Sequence, residues 1–244
     1  MIEPKLGRPR LFQLGDCALV VELGTEASEQ TASRVHAVAQ HFLDHSPAGV
    51  RDVVAAACTV ALHYDPLQVE PIPEAQTPFD ALVQRVVRHL DSLDPAAIAA
   101  ASEHEIPLCY GTEFGEDLQA VASAHGLTSD EVIALHSAPL YRVQMLGFAP
   151  GFAYLAGLDA RLATPRRSTP RTRVPAGSVA IGGELTAVYP FDLPGGWHLI
   201  GRSPLSFFDP VAERPSLLIA GDRVRFVPIS PEEYKRVERD GRWR

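Results

Sequence analysis

Lysine is nearly absent from this sequence: Lys5 and Lys235 are the only two among 244 residues. Neither follows the Gly-x-x-x-x-Gly spacing of a P-loop, which excludes a nucleotide-binding loop of that type. A Ser/Lys nucleophile pair of the amidase kind needs a central lysine, and the Gly-x-Ser-x-Gly nucleophile elbow is missing as well. The sequence therefore argues against a serine hydrolase that is complete by itself.

Cysteine and long apolar runs are also scarce. Cys17, Cys58 and Cys109 stand far apart in apolar segments, which favours buried, reduced thiols over a metal or catalytic role. The longest apolar run, Val53–Leu62, has about half the length of a membrane span. The N-terminal residues 1–14 lack the apolar core of a signal peptide. We expect a cytoplasmic protein that does not bind a membrane.

Basic residues are few except in one part of the chain. The whole sequence carries 22 basic and 30 acidic residues, a net charge of -8, which disfavours nucleic acid and anionic membranes as partners. Residues 1–146 have 8 basic and 20 acidic groups, whereas residues 147–210 have 6 and 4. That second range also holds 17 of the 39 glycines and prolines. We expect a preorganised binding surface there.

The patterning divides the chain near residue 100. In the first part, strands alternate with two helices that begin after Ser28 and Thr77, which predicts a small α+β sandwich. In the second part, a strand and two short helices precede short strands separated by Gly and Pro turns, which is typical of a β-barrel or sandwich. The stretch 91–103 continues a helix or connects the two parts. The predicted strands are 18–23, 50–55, 58–64, 105–110, 179–181, 186–189, 198–200, 217–220 and 223–229, and the two short helices are 114–125 and 128–137.

Several side chains of this Gly- and Pro-rich range suit a binding site. A proline-pinned loop carries four arginines, and guanidinium groups on a stiff backbone suit a carboxylate, phosphate or bicarbonate. The alternative is that these arginines pair with acidic residues or face solvent. Residues with hydroxyl groups and a tryptophan after Pro-Gly-Gly occur in the same range and suit a binding pocket. Each of these residue types, taken alone, more often has a structural role than a binding role. These residues are Arg166, Arg167, Arg171, Arg173, Ser178, Thr186, Tyr189 and Trp197.

No metal site is predicted. His41 and His45 lie four residues apart on a predicted helix, the spacing of two metal ligands, but no third ligand accompanies them. We interpret them as solvated histidines beside the apolar stripe of that helix.

A series of linked motifs covers residues 147–210. It reads GFAPGFAYLAGL, PRRSTPR, VPAGSVAIGG, PGGWHLIGR and FDP, at Gly147–Leu158, Pro165–Arg171, Val174–Gly183, Pro194–Arg202 and Phe208–Pro210. On these motifs the sequence resembles the family of 5-oxoprolinase B subunits, also known through the kinase inhibitor KipI and labelled allophanate hydrolase subunit 1. The similarity extends over nearly the whole chain.

The resemblance implies an α+β fold, with an N-terminal α+β sandwich at residues 1–100 and a cyclophilin-like β-barrel at residues 101–244. It implies similarity to one half of the carboxyltransferase region of urea carboxylase. It also implies a non-autonomous enzyme subunit, which works with two partners, the KipA-like C subunit of 5-oxoprolinase and its A subunit. The complex opens the lactam of 5-oxo-L-proline to L-glutamate while hydrolysing ATP, and ATP and Mg²⁺ are bound by the complex.

The motifs and the resemblance together nominate site residues of three kinds. Anion binding is assigned to Arg166, Arg171 and Arg202, and apolar walls to Phe148, Phe152 and Trp197. Polar contacts or proton handling are assigned to His136, Tyr141, Ser178, Thr186 and Tyr189.

Two other functions stay open. The barrel could inhibit a sensor histidine kinase, as KipI does, or act as a prolyl isomerase, an idea that rests on fold analogy alone. The allophanate hydrolase label fits poorly because the lysine-dependent amidase site is missing.

Overall fold

The computed structural model describes residues 9–93, 102–241 and 243. The chain forms two compact units, Met1–Ala100 and Ala101–Arg244, and each has a hydrophobic core of its own. Most of the stretch that the sequence left open, residues 94–101, lies outside the described residues.

The first unit is an antiparallel sheet with two helices. The strands are β1 (Arg10–Leu14), β2 (Ala18–Glu22), β3 (Val50–Ala55) and β4 (Thr59–Tyr64), in the order β1-β2-β4-β3. The helices are α1 (Glu29–Asp44) and α2 (Pro78–Ser92). Apolar residues at helical spacing, such as Val35, Val38 and Phe42 of α1, are fully buried. They form one hydrophobic core with alternate residues of the strands.

The predicted helix starts of this unit are confirmed. Ser28 is the N-cap of α1, and its side chain accepts a hydrogen bond from the Thr31 amide. Thr77 forms a reciprocal capping box with Asp80 at the start of α2. Local sequence therefore determines where both helices begin.

The second unit is built on a closed seven-stranded barrel, so the predicted α+β class with a C-terminal barrel is confirmed. The elements are β5 (Glu103–Tyr110), α3 (Leu118–Ala124), α4 (Ser129–Ser137), β6 (Tyr141–Leu146), β7 (Ala153–Ala156), β8 (Arg171–Val174), β9 (Ser178–Gly182), β10 (Leu185–Val188), β11 (Leu193–Gly195), β12 (His198–Arg202), β13 (Arg223–Pro228) and α5 (Pro231–Asp240). The strand order around the barrel is β10-β7-β6-β13-β5-β12-β9, and neighbouring strands are antiparallel except for the parallel pair β5 and β13. Two further strands, β8 and β11, pair with each other.

The barrel wall separates two apolar clusters. Successive side chains of a strand point to opposite faces, so Val179 and Ile181 of β9 enter the large core while Ala180 between them joins a smaller cluster. The smaller cluster contains Trp197 and Phe152. We call the face of the wall that carries it the outer face.

Some expectations were wrong. Residues 217–220 form no strand, and Ser216 makes only an isolated bridge to Phe208. The helix expected from residue 114 begins at Leu118, because Gly111–Gly115 form hydrogen-bonded turns before it. Cys17 is exposed because it lies in the turn between β1 and β2. Among the described residues, no helix combines the length and apolarity needed to cross a bilayer.

Candidate functional site

Small residues of the outer face let aromatic rings lie directly on the barrel wall. Gly182 at the end of β9 lies under Trp197, and a Cβ atom there would overlap the indole ring. Gly195 of β11 in the same way leaves room for the Tyr189 hydroxyl group. Gly182 of the VPAGSVAIGG motif and Gly195 of the PGGW motif thus serve close packing of aromatic rings.

Aromatic side chains form a continuous series from this buried layer to the surface. The ring centroid of Phe152 lies 6.3 Å from that of Trp197, 4.9 Å from Tyr189 and 4.8 Å from Tyr154. Phe148 makes an edge contact with Phe152 at 5.3 Å and is 63% exposed. Its φ of 71° is a conformation that bulky residues adopt at a cost of order 1 kcal/mol. The loop therefore holds an aromatic ring in solvent at the expense of backbone strain.

A cation adjoins these rings. The guanidinium carbon of Arg166 lies 5.6 Å from the centroid of the Trp197 ring, and the Arg166 side chain is exposed. Burial raises the pKa of Tyr189 to about 12, against the opposing effect of the nearby Arg166 charge. We call Phe148, Phe152, Tyr154, Arg166 and Trp197 the outer-face site. It combines an exposed cation with apolar walls, which suits a small organic anion.

The arginines next to Arg166 are bound to a buried carboxylate. Oδ1 of Asp117 accepts hydrogen bonds from Arg167 at 2.9 Å and from Arg171 at 2.8 Å, and Oδ2 accepts one from the Leu199 amide at 2.7 Å. Burial opposes ionisation of Asp117, but these hydrogen bonds and the two positive charges outweigh it and lower its pKa. Arg171, a predicted anion-binding residue, is therefore already paired with a carboxylate.

Arg202 and Ser178 lie at another place on the wall. They are directly opposite each other on the paired strands β12 and β9. Nη2 of Arg202 donates to the Glu113 carbonyl group, and its guanidinium lies 6.0 Å from the Phe114 ring. Nε of Arg202 and Oγ of Ser178 are buried and have no hydrogen-bond partner among the described residues.

Three of the other predicted polar residues lie inside the barrel, namely His136, Tyr141 and Thr186. Thr186 Oγ1 donates to the Ala180 carbonyl group at 3.0 Å, so it accepts from Nε2–H of His136, also at 3.0 Å. Nδ1 of His136 then accepts from the Tyr110 hydroxyl at 2.8 Å. Tyr141 donates to the His136 carbonyl group. Burial lowers the pKa of His136 to about 3, so the imidazole is neutral at pH 7.

The structure thus divides the predicted catalytic residues between the two faces of the wall. His136, Tyr141 and Thr186 form one hydrogen-bonded network with no exposed surface. Tyr189 belongs to the smaller apolar cluster on the outer face, and Ser178 is also fully buried. A direct role of these groups in proton transfer stays a prediction, and their burial favours positioning.

Three residues of these networks were missing from the sequence-based prediction. Tyr154 stands in the YL step of the longest motif, which was a usable signal. Tyr110 and Asp117 gave none, because their partners His136 and Arg171 lie far along the chain.

The histidines of α1 are arranged differently from the expectation. His41 is half-buried, and its Nε2 lies 2.8 Å from Nδ1 of His89 on α2. The His45 ring stacks on the His41 ring. Burial lowers the pKa of His41, and the neighbouring histidines add to this effect. In the described part of the chain, no three His, Cys, Asp or Glu side chains are grouped so that they could hold a metal ion.

Comparison with known proteins places these motifs in a family. The family model described as carboxyltransferase domain, subdomain C and D, matches residues 9–218. The chain is 42% identical to the 5-oxoprolinase B subunit of Bacillus subtilis over 93% of its length and 95% of that protein. It belongs to the family of 5-oxoprolinase B subunits.

Two further relatives extend this result. The 5-oxoprolinase B subunit of Escherichia coli O157:H7 is 41% identical over 91% of this chain and 96% of that protein. The crystal structure of TTHA0988 superposes with a TM-score of 0.75 at 40% identity and covers 87% of this chain. This chain spans only 40% of the TTHA0988 chain, so a longer polypeptide contains the same fold as one part.

Replacing Gly182 by alanine should displace the Trp197 ring, because the added Cβ atom takes its place on the wall. We expect a loss of roughly 1–3 kcal/mol of unfolding free energy, the usual cost of overpacking, and a shifted Trp197 fluorescence. Urea unfolding measures the first quantity. Gly147→Ala is the matched control, since nothing lies within 4 Å of its added Cβ. Equal stability of both variants and wild type would contradict the packing described above.

Proposed function

We propose that this chain is the B subunit of a heteromeric, ATP-dependent 5-oxoprolinase, which hydrolyses 5-oxo-L-proline to L-glutamate together with the A and C subunits. The observation that carries the proposal is the near-complete match to proteins named as 5-oxoprolinase B subunits, at 42% and 41% identity over 95% and 96% of their lengths. A match of this extent includes both units of the chain rather than one shared module.

The geometry supports a chain that binds substrate but does not complete the reaction alone. The predicted polar groups His136, Thr186 and Ser178 have no exposed surface. The outer-face site, in contrast, exposes Arg166 and Phe148. The chain therefore supplies an anion-binding, aromatic wall, and the groups that attack the lactam and handle its protons come from a partner subunit.

ATP and Mg²⁺ belong to the complex in this proposal. Opening of the lactam breaks the C–N bond of the ring and adds water to its carbonyl carbon, and ATP hydrolysis drives the step. The role of the described residues is to hold the substrate. Inhibition of a sensor histidine kinase stays a prediction.

Reconstitution tests the proposal. The chain is purified alone and with the A and C subunits, and ATP-dependent release of glutamate from 5-oxoproline is measured. We expect activity from the complete set and none when any one member is omitted. Activity of the isolated chain, or an inactive complete set, would overturn the proposal.

A further inference from the structure

Four arginines occupy the segment 165–173, which ends in β8, and they have different partners. Arg167 and Arg171 bind Asp117, Arg171 also contacts Glu116 at 3.4 Å, and Arg173 pairs with Asp192. Arg166 is the arginine of this segment for which the described residues provide no carboxylate. Its guanidinium lies over the ring of Trp197 instead.

The charges around Arg166 leave one positive charge in excess. Arg166, Arg167 and Arg171 carry three positive charges, and Asp117 and Glu116 carry two negative charges. Since Asp117 is buried and binds both Arg167 and Arg171, the excess charge lies on the exposed Arg166. An anion that approaches this surface therefore meets one free guanidinium group.

Backbone contacts on both sides of Arg166 fix its position. The Pro165 carbonyl group lies 2.9 Å from Nε2 of His198, and the Arg167 amide donates to the Gly196 carbonyl group at 2.7 Å. Thr164, one residue earlier, forms a bridge with Gly183 in both directions. Because the backbone is already ordered, an anion that binds here does not have to order the loop.

From these observations we infer that Arg166, supported by Trp197, is the oxyanion-recognition group of the outer-face site. This inference rests on the proposed function. The ligand class is an oxyanion attached to a small substrate body. A planar guanidinium over an indole ring can bind such a group through two parallel hydrogen bonds. The oxyanion is the carboxylate of 5-oxoproline or the phosphoryl group that ATP supplies.

Steady-state kinetics of the complex with the A and C subunits test the inference. We expect Arg166→Gln to raise one KM by roughly tenfold to hundredfold, the worth of a charge-assisted hydrogen bond, with a smaller change in kcat. Arg166→Lys should raise the same KM less than Arg166→Gln does, since lysine keeps the positive charge but lacks the two parallel N–H donors of the guanidinium group. A raised KM for 5-oxoproline assigns the carboxylate, and a raised KM for ATP assigns the phosphoryl group.

Arg173→Gln is the matched control, because Arg173 is a neighbouring arginine whose charge is already paired with Asp192 at the surface. It should leave both KM values within about twofold of wild type. An Arg166→Gln complex with unchanged KM values would overturn the inference while the proposed reaction stands.

A binding experiment separates failure of the proposed function from failure of the inference about Arg166. If the complete set releases no glutamate, the proposed function fails, and the chain alone is titrated with 5-oxoproline and with inorganic phosphate. Trp197 reports binding in a Trp243→Phe background, since the sequence has only these two tryptophans. Saturable fluorescence changes that Arg166→Gln abolishes would support the site, and their absence in the unsubstituted chain would overturn it.

Discussion

Replacing Asp117 by alanine is expected to lower the unfolding free energy of the second unit by about 3–5 kcal/mol, the usual cost of removing one partner from a buried ion pair. The substitution removes the acceptor of Arg167, Arg171 and the Leu199 amide at once. The Arg171 side chain is only 18% exposed, so water replaces the lost carboxylate poorly. Urea unfolding at pH 7 measures the effect.

Asp192→Ala is the matched control for this experiment. Asp192 also binds an arginine and a backbone amide, those of Arg173 and Ala176, but its side chain is 44% exposed. Exposed ion pairs contribute about 0–1 kcal/mol, so this variant should unfold close to wild type. Equal losses of unfolding free energy in the two variants would show that Asp117 does not hold Arg167 and Arg171 in place.

Acidification is expected to destabilise the second unit through His136. The pKa of His136 is about 3 in the folded chain because of burial, and about 6.5 in an unfolded one. The folded state therefore resists a proton that the unfolded state accepts. Stability from this group is complete above pH 6.5 and is lost as the pH falls towards 3, by roughly 4–5 kcal/mol in total at 1.36 kcal/mol per pH unit.

The measurement is the unfolding free energy as a function of pH for wild type and His136→Gln. Carboxylates such as Asp117 also titrate in acid, so the informative quantity is the difference between the two curves. We expect this free-energy difference to change by about 1.36 kcal/mol per pH unit between pH 6.5 and 3, the slope for one bound proton. His125→Gln is the control, because His125 is half-buried and binds the Thr164 hydroxyl outside the network of His136. Parallel curves for wild type and His136→Gln would contradict a buried neutral imidazole.

These two expectations also bear on function. Asp117 binds Arg167 and Arg171, and Arg166 has no carboxylate partner among the described residues. The His136 network holds the wall on which the aromatic rings lie, since Thr186 binds the carbonyl group of Ala180. A loss of stability through either group should therefore disturb the outer-face site without removing a residue of that site.

Local sequence determined much of the architecture. The N-caps Ser28 and Thr77, the alternation along β4 and the glycine and proline turns of the second unit depend on neighbouring residues, so the sequence alone was sufficient to place them. The linked motifs of residues 147–210 also identified the family, and the matched family model and relatives confirm it.

Tertiary structure alone decided which candidate side chains share a site. Arg166 and Arg171 look equivalent in sequence, but Asp117 lies 54 residues before Arg171 and binds that arginine and not Arg166. In the same way, Thr186 faces the barrel interior while Tyr189, three residues later, packs on the outer face. A strand pattern shows that side chains alternate, but barrel closure determines which face is enclosed, and ion pairing over long sequence separations determines which arginine keeps a free charge.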